Sequence, residues 1–272
     1  MLAAAVPRPD RRQRNEMFAC VSDTTTTISC DVFDTLLHRD DRAESSRFRT
    51  IAELVSQRLV GEHCVAIDPR LVWRTRIGVQ RAAYRAVELA TPDGDVRFAD
   101  LVAVTATILG LEGRQAAILR EAELAVERQQ LRPNRPFLTW LAEQARAGRR
   151  VVAASDTYHD GATIEHLLDT LAPGHPVAAI YTSADLGATK RSGALFPALL
   201  RAEGVRADQV LHIGDDALAD VAMASAAGLK TLHLVRPRHI RIRRKADAVR
   251  ARVERVLSHR NGFLWSRGAA LT

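Results

Sequence analysis

The residues of this 272-residue chain best suited to chemistry are polar side chains that follow short apolar runs. A β-branched, apolar run starting at Thr27 ends in Asp31, and Asp34 and Thr35 come close behind. In an α/β sheet, ligands bind at the carboxyl ends of the strands. Asp31 is therefore a candidate nucleophilic carboxylate that faces a crevice. The alternative is that these side chains only cap the next helix or form its turn, where Asp and Thr are ordinary residues.

Two later stretches supply groups that could bind the oxygens of a phosphoryl group. Ser155 follows the apolar run at 151–154, and its hydroxyl and the adjoining backbone N–H groups could hold an anion. Lys190 lies in a Gly-bounded loop of a chain that otherwise almost always chooses arginine as its cation. A lysine there indicates a compact point charge, which would neutralise a phosphoryl group and the nucleophile. A helix-capping serine and an exposed lysine are the alternatives.

The stretch 212–220, His-Ile-Gly-Asp-Asp-Ala-Leu-Ala-Asp, carries three carboxylates after a predicted strand. Asp215 and Asp216 lie at the strand end, where one or two carboxylates and a substrate phosphate could hold Mg²⁺, which prefers oxygen ligands. Asp220, one turn further on, could orient Lys190 by a charge-assisted hydrogen bond. The alternative is an acidic helix N-terminus without a metal.

The elements that must position these groups follow from the apolar pattern. Short apolar runs at 27–31, 151–154, 178–181, 210–213 and 231–234 alternate, after Gly148, with helical segments. This alternation predicts an α/β fold with a doubly wound, parallel, Rossmann-like sheet. Residues 44–147 instead have apolar residues at helical spacing, which predicts an inserted all-α cap subdomain. We expect the cap to close over the crevice as a lid, with a rigid helical subdomain as the alternative.

The predicted organisation is a flexible leader (1–26), an α/β core (27–43 and 148–235), the cap (44–147) and a basic C-terminal helix or tail (236–272). The tail holds a surplus of nine positive charges against +7 for the whole chain, so the rest is slightly acidic. We therefore do not expect nucleic-acid binding. A solvated helix packed on the core is the simplest interpretation of the tail, and a surface for an acidic partner, nucleic acid or anionic lipid is the alternative.

Composition excludes several other classes. No stretch of 18 or more apolar residues occurs, so no membrane span is expected. The three cysteines lack C-x-x-C spacing, which argues against a disulfide framework or a zinc site and favours a reducing cytoplasm.

Taken together and in order, these residues resemble the haloacid dehalogenase superfamily over about residues 27–235. That family's four motifs read D-x-D-x-T, Ser or Thr, Lys, and G-D-x-x-x-x-D, and the matching residues here are Asp31 with Thr35, Ser155, Lys190, and Asp215 with Asp220. The residues within and around these motifs further resemble those of a bacterial subgroup often found beside or fused to glycosyltransferases.

The resemblance implies a Mg²⁺-dependent hydrolase, a phosphatase of a small phosphorylated substrate. Asp31 would attack the phosphoryl group and form an aspartyl-phosphate that water hydrolyses. Mg²⁺ would be held by Asp31, Asp215 and the backbone carbonyl of Phe33. The remaining site residues would hold the phosphoryl oxygens or support the ligands, and these are Ser155, Lys190, Thr35, Asp216 and Asp220.

Phe33 is a departure from the family pattern, because the phosphatases carry there a second Asp that acts as general acid and base. Asp34, one residue later, cannot be assumed to replace it, because a shift of one residue reverses the side-chain direction. Three interpretations stay open. A phosphatase could use Asp34, a cap residue or water, the leaving group could need no proton, or the protein could be a weakly active module that binds a phosphorylated ligand. Dehalogenases of the family carry an aromatic residue at this position but need no magnesium. Because Asp215 and Asp220 are retained here and argue for a metal, we rank a dehalogenase below a phosphatase.

Overall fold

The structure is a computed structural model that describes residues 21–268. Its centre is a five-stranded parallel sheet in the order β5-β4-β1-β6-β7. The strands are β1 (Thr27–Cys30), β4 (Arg150–Ser155), β5 (Ala179–Thr182), β6 (Val210–Gly214) and β7 (Lys230–His233). The predicted α/β fold is confirmed, and each predicted strand is found within about one residue. Residues 1–20 of the predicted leader lie outside the described residues.

Both faces of the sheet are covered, because successive side chains of a strand point to opposite sides. On one face Ile28 and Val151 pack with α5 (Arg135–Arg146) and α6 (Gly161–Leu171). On the other face Val152 packs with α8 (Leu195–Glu203). Near-continuous apolar strands with helices on both sides are what a doubly wound sheet requires.

Four helices between β1 and β4 form a separate cluster with its own apolar core. They are α1 (Glu44–His63), α2 (Pro69–Ala90), α3 (Phe98–Leu109) and α4 (Gly113–Gln130). Phe48, Ile51, Trp73, Ile118 and Val126 are among the buried residues that hold them together. A short antiparallel pair, β2 (Leu37–Arg39) with β3 (Leu131–Pro133), carries the chain out of the sheet region and back.

The predicted cap, 44–147, extends too far at its C-terminal end. Helix α5 lies inside that range, but Phe137, Trp140 and Leu141 pack into the same core as the strands β1, β4 and β6. The structure therefore assigns 135–146 to the sheet body. The helical spacing alone could not show this, because an amphipathic helix has the same pattern whichever layer covers its apolar side.

After β5 the chain forms the short α7 (Ser183–Leu186), and after β6 a π-helical turn (Ala217–Met223) that continues into α9 (Ala224–Ala226). The last element, α10 (Arg238–Gly268), runs from the end of β7 to α1, where Asp247 accepts a 2.7 Å hydrogen bond from the backbone N–H of Ala43. It binds the body mainly through polar side chains, whereas Val249 and Val253 are exposed. Within the described residues, no helix combines the length and apolar character needed to cross a membrane.

Candidate active site

The sheet register brings the two predicted strand-end carboxylates together. Cys30 of β1 pairs with Ile213 of the adjacent β6, and the N–H of Asp31 donates to the carbonyl of Ile213 at 2.9 Å. Asp31 and Asp215 therefore follow neighbouring strands at the same edge of the sheet. This is the point beside β1 at which the chain changes from adding strands on one side of β1 to adding them on the other. One carboxylate oxygen from each of Asp31, Asp215 and Asp220 lies within 4.8 Å of the others.

Lys190 connects two of these carboxylates. Its Nζ donates to Oδ1 of Asp31 and to Oδ1 of Asp220, each at 2.6 Å, and the side chain is almost fully buried. Burial by itself lowers the pKa of Lys190, but the charges of Asp31 and Asp220 outweigh it and raise that pKa above its ordinary value. The lysine therefore stays positively charged beside Asp31 throughout the neutral range.

Asp220 is held from three directions, which fixes its orientation towards Lys190. Its Oδ1 lies 3.1 Å from Nε2 of the buried His212, and its Oδ2 accepts a 2.9 Å hydrogen bond from the N–H of Asp216. Gly214 leaves the space it needs, because a Cβ atom there would lie 2.2 Å from the Asp220 carboxyl carbon. Steric space for Asp220 thus explains why the G-D-D stretch begins with glycine.

Three carboxylates, those of Asp31, Asp215 and Asp220, meet the two cations Lys190 and Arg236, and the one negative charge in excess suits a divalent cation. Burial raises the pKa of Asp31 to about 7; Lys190 opposes this shift, and the nearby Asp220 and Asp215 add to it. Burial likewise raises the pKa of Asp215 to about 6. Crowded carboxylates that are costly to ionise are stabilised by a cation with oxygen ligands, as Mg²⁺ requires. The donor set present at this strand edge fits that ion.

Two further predicted residues present hydroxyl groups that are not used by the described protein. Ser155 Oγ at the end of β4 and Thr35 Oγ1 after β1 are both buried, and neither has a hydrogen-bond partner within residues 21–268. A buried polar atom without a partner is costly. Ser155 lines the same pocket as Asp31 and Lys190, so its hydroxyl is available to a bound anion.

The predicted role of Asp216 in metal binding does not agree with its position. Its Oδ1 accepts hydrogen bonds from the N–H groups of Leu218 (2.8 Å) and Ala219 (3.1 Å), and its Oδ2 accepts one from Arg191 at 2.6 Å. Asp216 is thus the N-cap of the following helical turn, and Asp220 takes its place in the carboxylate cluster. The capping interpretation applies to the second aspartate of the pair and not to the first.

Asp34 is also unsuited to the role of proton donor. Its backbone is left-handed, with φ of 66°, and its two oxygens accept hydrogen bonds from Arg244 at 2.7 Å each. Burial raises its pKa, but the hydrogen bonds of Arg244 and the charges of Arg236 and Arg39 outweigh that and leave it below the ordinary value. Asp34 therefore stays ionised at neutral pH and has no proton to donate.

Two arginines of the basic C-terminal region, Arg236 and Arg244, line the site and were missed by the sequence reasoning. Arg236 forms ion pairs with Asp215 and, at 3.0 Å, with Asp34. Arg236 follows the end of β7, so the reasoning applied to the other strands could have identified it. Arg244 gives no such signal, because it reaches the site only through the docking of α10.

Comparisons with known proteins agree with this geometry. A sequence model of the haloacid dehalogenase-like hydrolase family matches residues 25–228. The chain belongs to this family. No curated protein matches the sequence.

Solved structures of haloacid dehalogenase-like hydrolases share the fold at low identity. An L-2-haloacid dehalogenase is 22% identical, covers 78% of this chain and 85% of its own, and has a TM-score of 0.52. The 2-haloacid dehalogenase of Pseudomonas syringae pathovar tomato is 19% identical, covers 77% and 86%, and has a TM-score of 0.51. The magnesium-bound HAD-hydrolase YfnB of Bacillus subtilis is 19% identical, covers 76% and 87%, and has a TM-score of 0.46. At these identities the two dehalogenase structures with TM-scores above 0.5 show the fold alone and leave the choice of reaction to the site.

Proposed function

We propose that this protein is a magnesium-dependent phosphatase that moves the phosphoryl group of a small phosphorylated substrate to Asp31 and then to water. The observation that carries the proposal is the meeting of Asp31, Asp215 and Asp220 at one strand edge, with Lys190 bound to the first and the last. A haloacid dehalogenase reaction needs a nucleophilic carboxylate but no cluster of acids for a metal. The cluster therefore favours phosphoryl transfer.

Each residue has a role that its contacts support. Asp31 would attack phosphorus in line with the leaving oxygen. Ser155 and Lys190 would bind the phosphoryl oxygens, and Asp220 would hold Lys190 in place. Asp31, Asp215 and the carbonyl of Phe33 would hold Mg²⁺, which offsets the negative charge of the transferring group when it is bound.

The same observations leave one competing proposal, a module that binds a phosphorylated ligand with little turnover. It is favoured by Phe33, whose side chain has no acidic proton to donate. It is also favoured by Asp34, because both of its carboxylate oxygens accept hydrogen bonds from Arg244. Loss of a positioned proton donor typically costs about 10²- to 10⁴-fold in rate. The phosphoryl-binding groups, in contrast, are all present.

The test measures phosphate release from phosphorylated acids, sugars and nucleotides and from p-nitrophenyl phosphate, with Mg²⁺ and with excess chelator. We expect release that needs Mg²⁺ and is abolished by Asp31→Asn. Halide release from 2-haloacids without metal would instead identify a dehalogenase. Ligand binding without any release, in the native protein and in Asp31→Asn alike, would support the binding module and refute the phosphatase.

A further inference from the structure

The aromatic ring of Phe33, two positions after Asp31, lies against the guanidinium group of Arg39. The guanidinium carbon of Arg39 lies 3.8 Å from the centroid of the Phe33 ring, which is the contact distance of a cation–π pair. Both residues line the pocket that contains Asp31. A fixed cation therefore lies over the side chain that replaces the proton donor.

Arg39 has a second arginine beside it, and together they carry more positive charge than their partner compensates. Glu127 is fully buried and pairs with Arg39 at 3.2 Å and with Arg47 at 3.4 Å. Two guanidinium groups thus share one buried carboxylate. Glu44 approaches Arg47 only to 3.7 Å, and about half of its side chain is exposed.

The two arginines also have unused hydrogen-bonding capacity. The Nε of Arg39 is buried and has no hydrogen-bond partner in the described part of the chain, whereas the buried Nε of Arg47 lies 3.4 Å from Glu127 in an ion pair without a hydrogen bond. Arg47 is 95% buried, since only 5% of its surface is exposed, and it also lines the pocket. A buried charge with free donors is stabilised by an anion that enters the pocket.

Besides the carboxylate cluster and Asp216, the described lining of the pocket holds three acids, Asp34, Asp156 and Glu44, and Glu44 lies beside Arg47 and accepts a 3.2 Å hydrogen bond from Gln80. The lining of this cavity of about 350 Å³ includes no His, Tyr or Cys from residues 21–268. Asp34 has both oxygens bound to Arg244, and Asp156 has one oxygen bound to each of two backbone N–H groups, those of Lys190 and Arg191. Arg39 and Arg47 can stabilise negative charge but cannot give up a proton.

We infer that the leaving group departs as an oxyanion onto Arg39 and Arg47, so that the substrate is an acyl phosphate or a phosphoanhydride and not an alkyl phosphate. This inference rests on the proposed function. The bond between phosphorus and the leaving oxygen breaks as Asp31 attacks, and its electron pair stays on that oxygen without a proton. Water then cleaves the aspartyl-phosphate, and both of its protons end on the phosphate released, which leaves Asp31 ionised.

The acidity of the possible leaving groups supports this choice of substrate. A carboxyl group has a pKa of about 4, and phosphate ionises for the second time at about 6. Such groups leave as anions at neutral pH. A simple hydroxyl, with a pKa near the roughly 16 of water, needs the proton that this pocket does not supply.

The experiment compares kcat/KM for acetyl phosphate and ethyl phosphate, which differ at the leaving oxygen, with the full chain and Mg²⁺. Spontaneous hydrolysis is subtracted with Asp31→Asn. We expect a preference for acetyl phosphate of at least about 10³-fold. Arg39→Gln, which removes one of the cations under the leaving oxygen, should lower turnover of acetyl phosphate about a hundredfold. Phe33→Asp should raise turnover of ethyl phosphate at least about tenfold.

Arg206→Gln is the matched control, because the side chain of this exposed arginine pairs, among the described residues, only with Asp208 and lies outside the pocket. Thermal unfolding checks that each variant folds, and Arg47→Gln replaces Arg39→Gln if the latter does not. The inference is overturned if ethyl phosphate is hydrolysed within tenfold of acetyl phosphate. It is equally overturned if Arg39→Gln leaves turnover of acetyl phosphate within threefold of the native rate. Failure of the proposed function looks different, since neither substrate would then release phosphate in an Asp31-dependent way.

Discussion

The contact between Arg244 and Asp34 gives the sharpest test of whether the C-terminal helix completes the site. Arg244 lies on α10 and binds Asp34 with two hydrogen bonds of 2.7 Å, and it also donates to the backbone carbonyls of Asp40 (3.0 Å) and Arg39 (2.8 Å). Only 8% of the Asp34 side chain and 17% of the Arg244 side chain are exposed. We expect Arg244→Met to destabilise the protein and to loosen the loop around Asp34.

The expected size follows from the burial of this pair. Removing one partner of a buried ion pair typically costs about 3–5 kcal/mol, because the other charge is left without compensation. Arg236 still lies 3.0 Å from Asp34, and Arg244 is partly exposed, so we expect about 2–3 kcal/mol. Asp34→Asn keeps the left-handed backbone that asparagine tolerates, so it serves as the second member of a double-mutant cycle. We expect a coupling energy of about 1–3 kcal/mol.

The assay is urea unfolding followed by fluorescence and circular dichroism, with Arg243→Met as the control on the same helix. Within the part of the chain that the structure describes, Arg243 pairs only with Asp41, at 3.4 Å, and both side chains are exposed, so its loss should cost no more than about 0.5 kcal/mol. Equal unfolding free energies for Arg244→Met and Arg243→Met would refute the docking of α10 on the site. A coupling energy near zero would refute the direct contact.

Two further predictions concern other residues. Gly214→Ala should abolish activity and destabilise the protein by about 1–3 kcal/mol, because its Cβ would lie 2.2 Å from the Asp220 carboxyl carbon. Gly61→Ala is the control, because a Cβ at this helical position would meet no described atom within 4 Å, and it should be neutral or stabilising by up to about 1 kcal/mol. Equal losses of unfolding free energy in urea for Gly214→Ala and Gly61→Ala would contradict the steric explanation. Burial lowers the pKa of His159 to about 4 in the folded protein. As the pH falls, the unfolded chain therefore binds a proton at this histidine at a higher pH than the folded protein does. The free energy of unfolding should fall by about 3 kcal/mol between about pH 6.5 and pH 4. His159→Phe should reduce that loss while keeping stability at pH 7, and an unchanged pH profile would show that the ring is not the group that titrates.

The strand ends could be predicted from the sequence because they depend on local pattern. Each apolar run predicts one strand, and parallel strands place their carboxyl ends at one edge of the sheet. Asp31, Lys190 and Asp215 follow three of these runs, so the sequence alone could assign them to a common site. Helix α5 could not be assigned to its layer in the same way. Its apolar side is equally compatible with the cap and with the sheet, and only the packing of Phe137 and Trp140 decides between them.

The roles of individual acids depended on contacts that local pattern does not contain. Asp216 and Asp34 have the same residue type as Asp31, but the first is bound by nearby backbone N–H groups and the second by Arg244. Capping by Asp216 is a local interaction that competes with metal binding, and the sequence allows both. The structure decides, because the N–H groups of the turn after β6 bind the carboxylate of Asp216, whereas Asp220 joins the cluster with Asp31 and Asp215.

The sequence by itself determined the fold class, the order of the strand-end groups and the nucleophile proposed at Asp31, since each follows from residue type and short-range periodicity. The tertiary structure alone decided that Arg244 reaches the site and that Arg39 lies over Phe33. Arg244 and Asp34 are 210 positions apart. A contact over that distance depends on how whole elements pack, and no spacing within either segment encodes it.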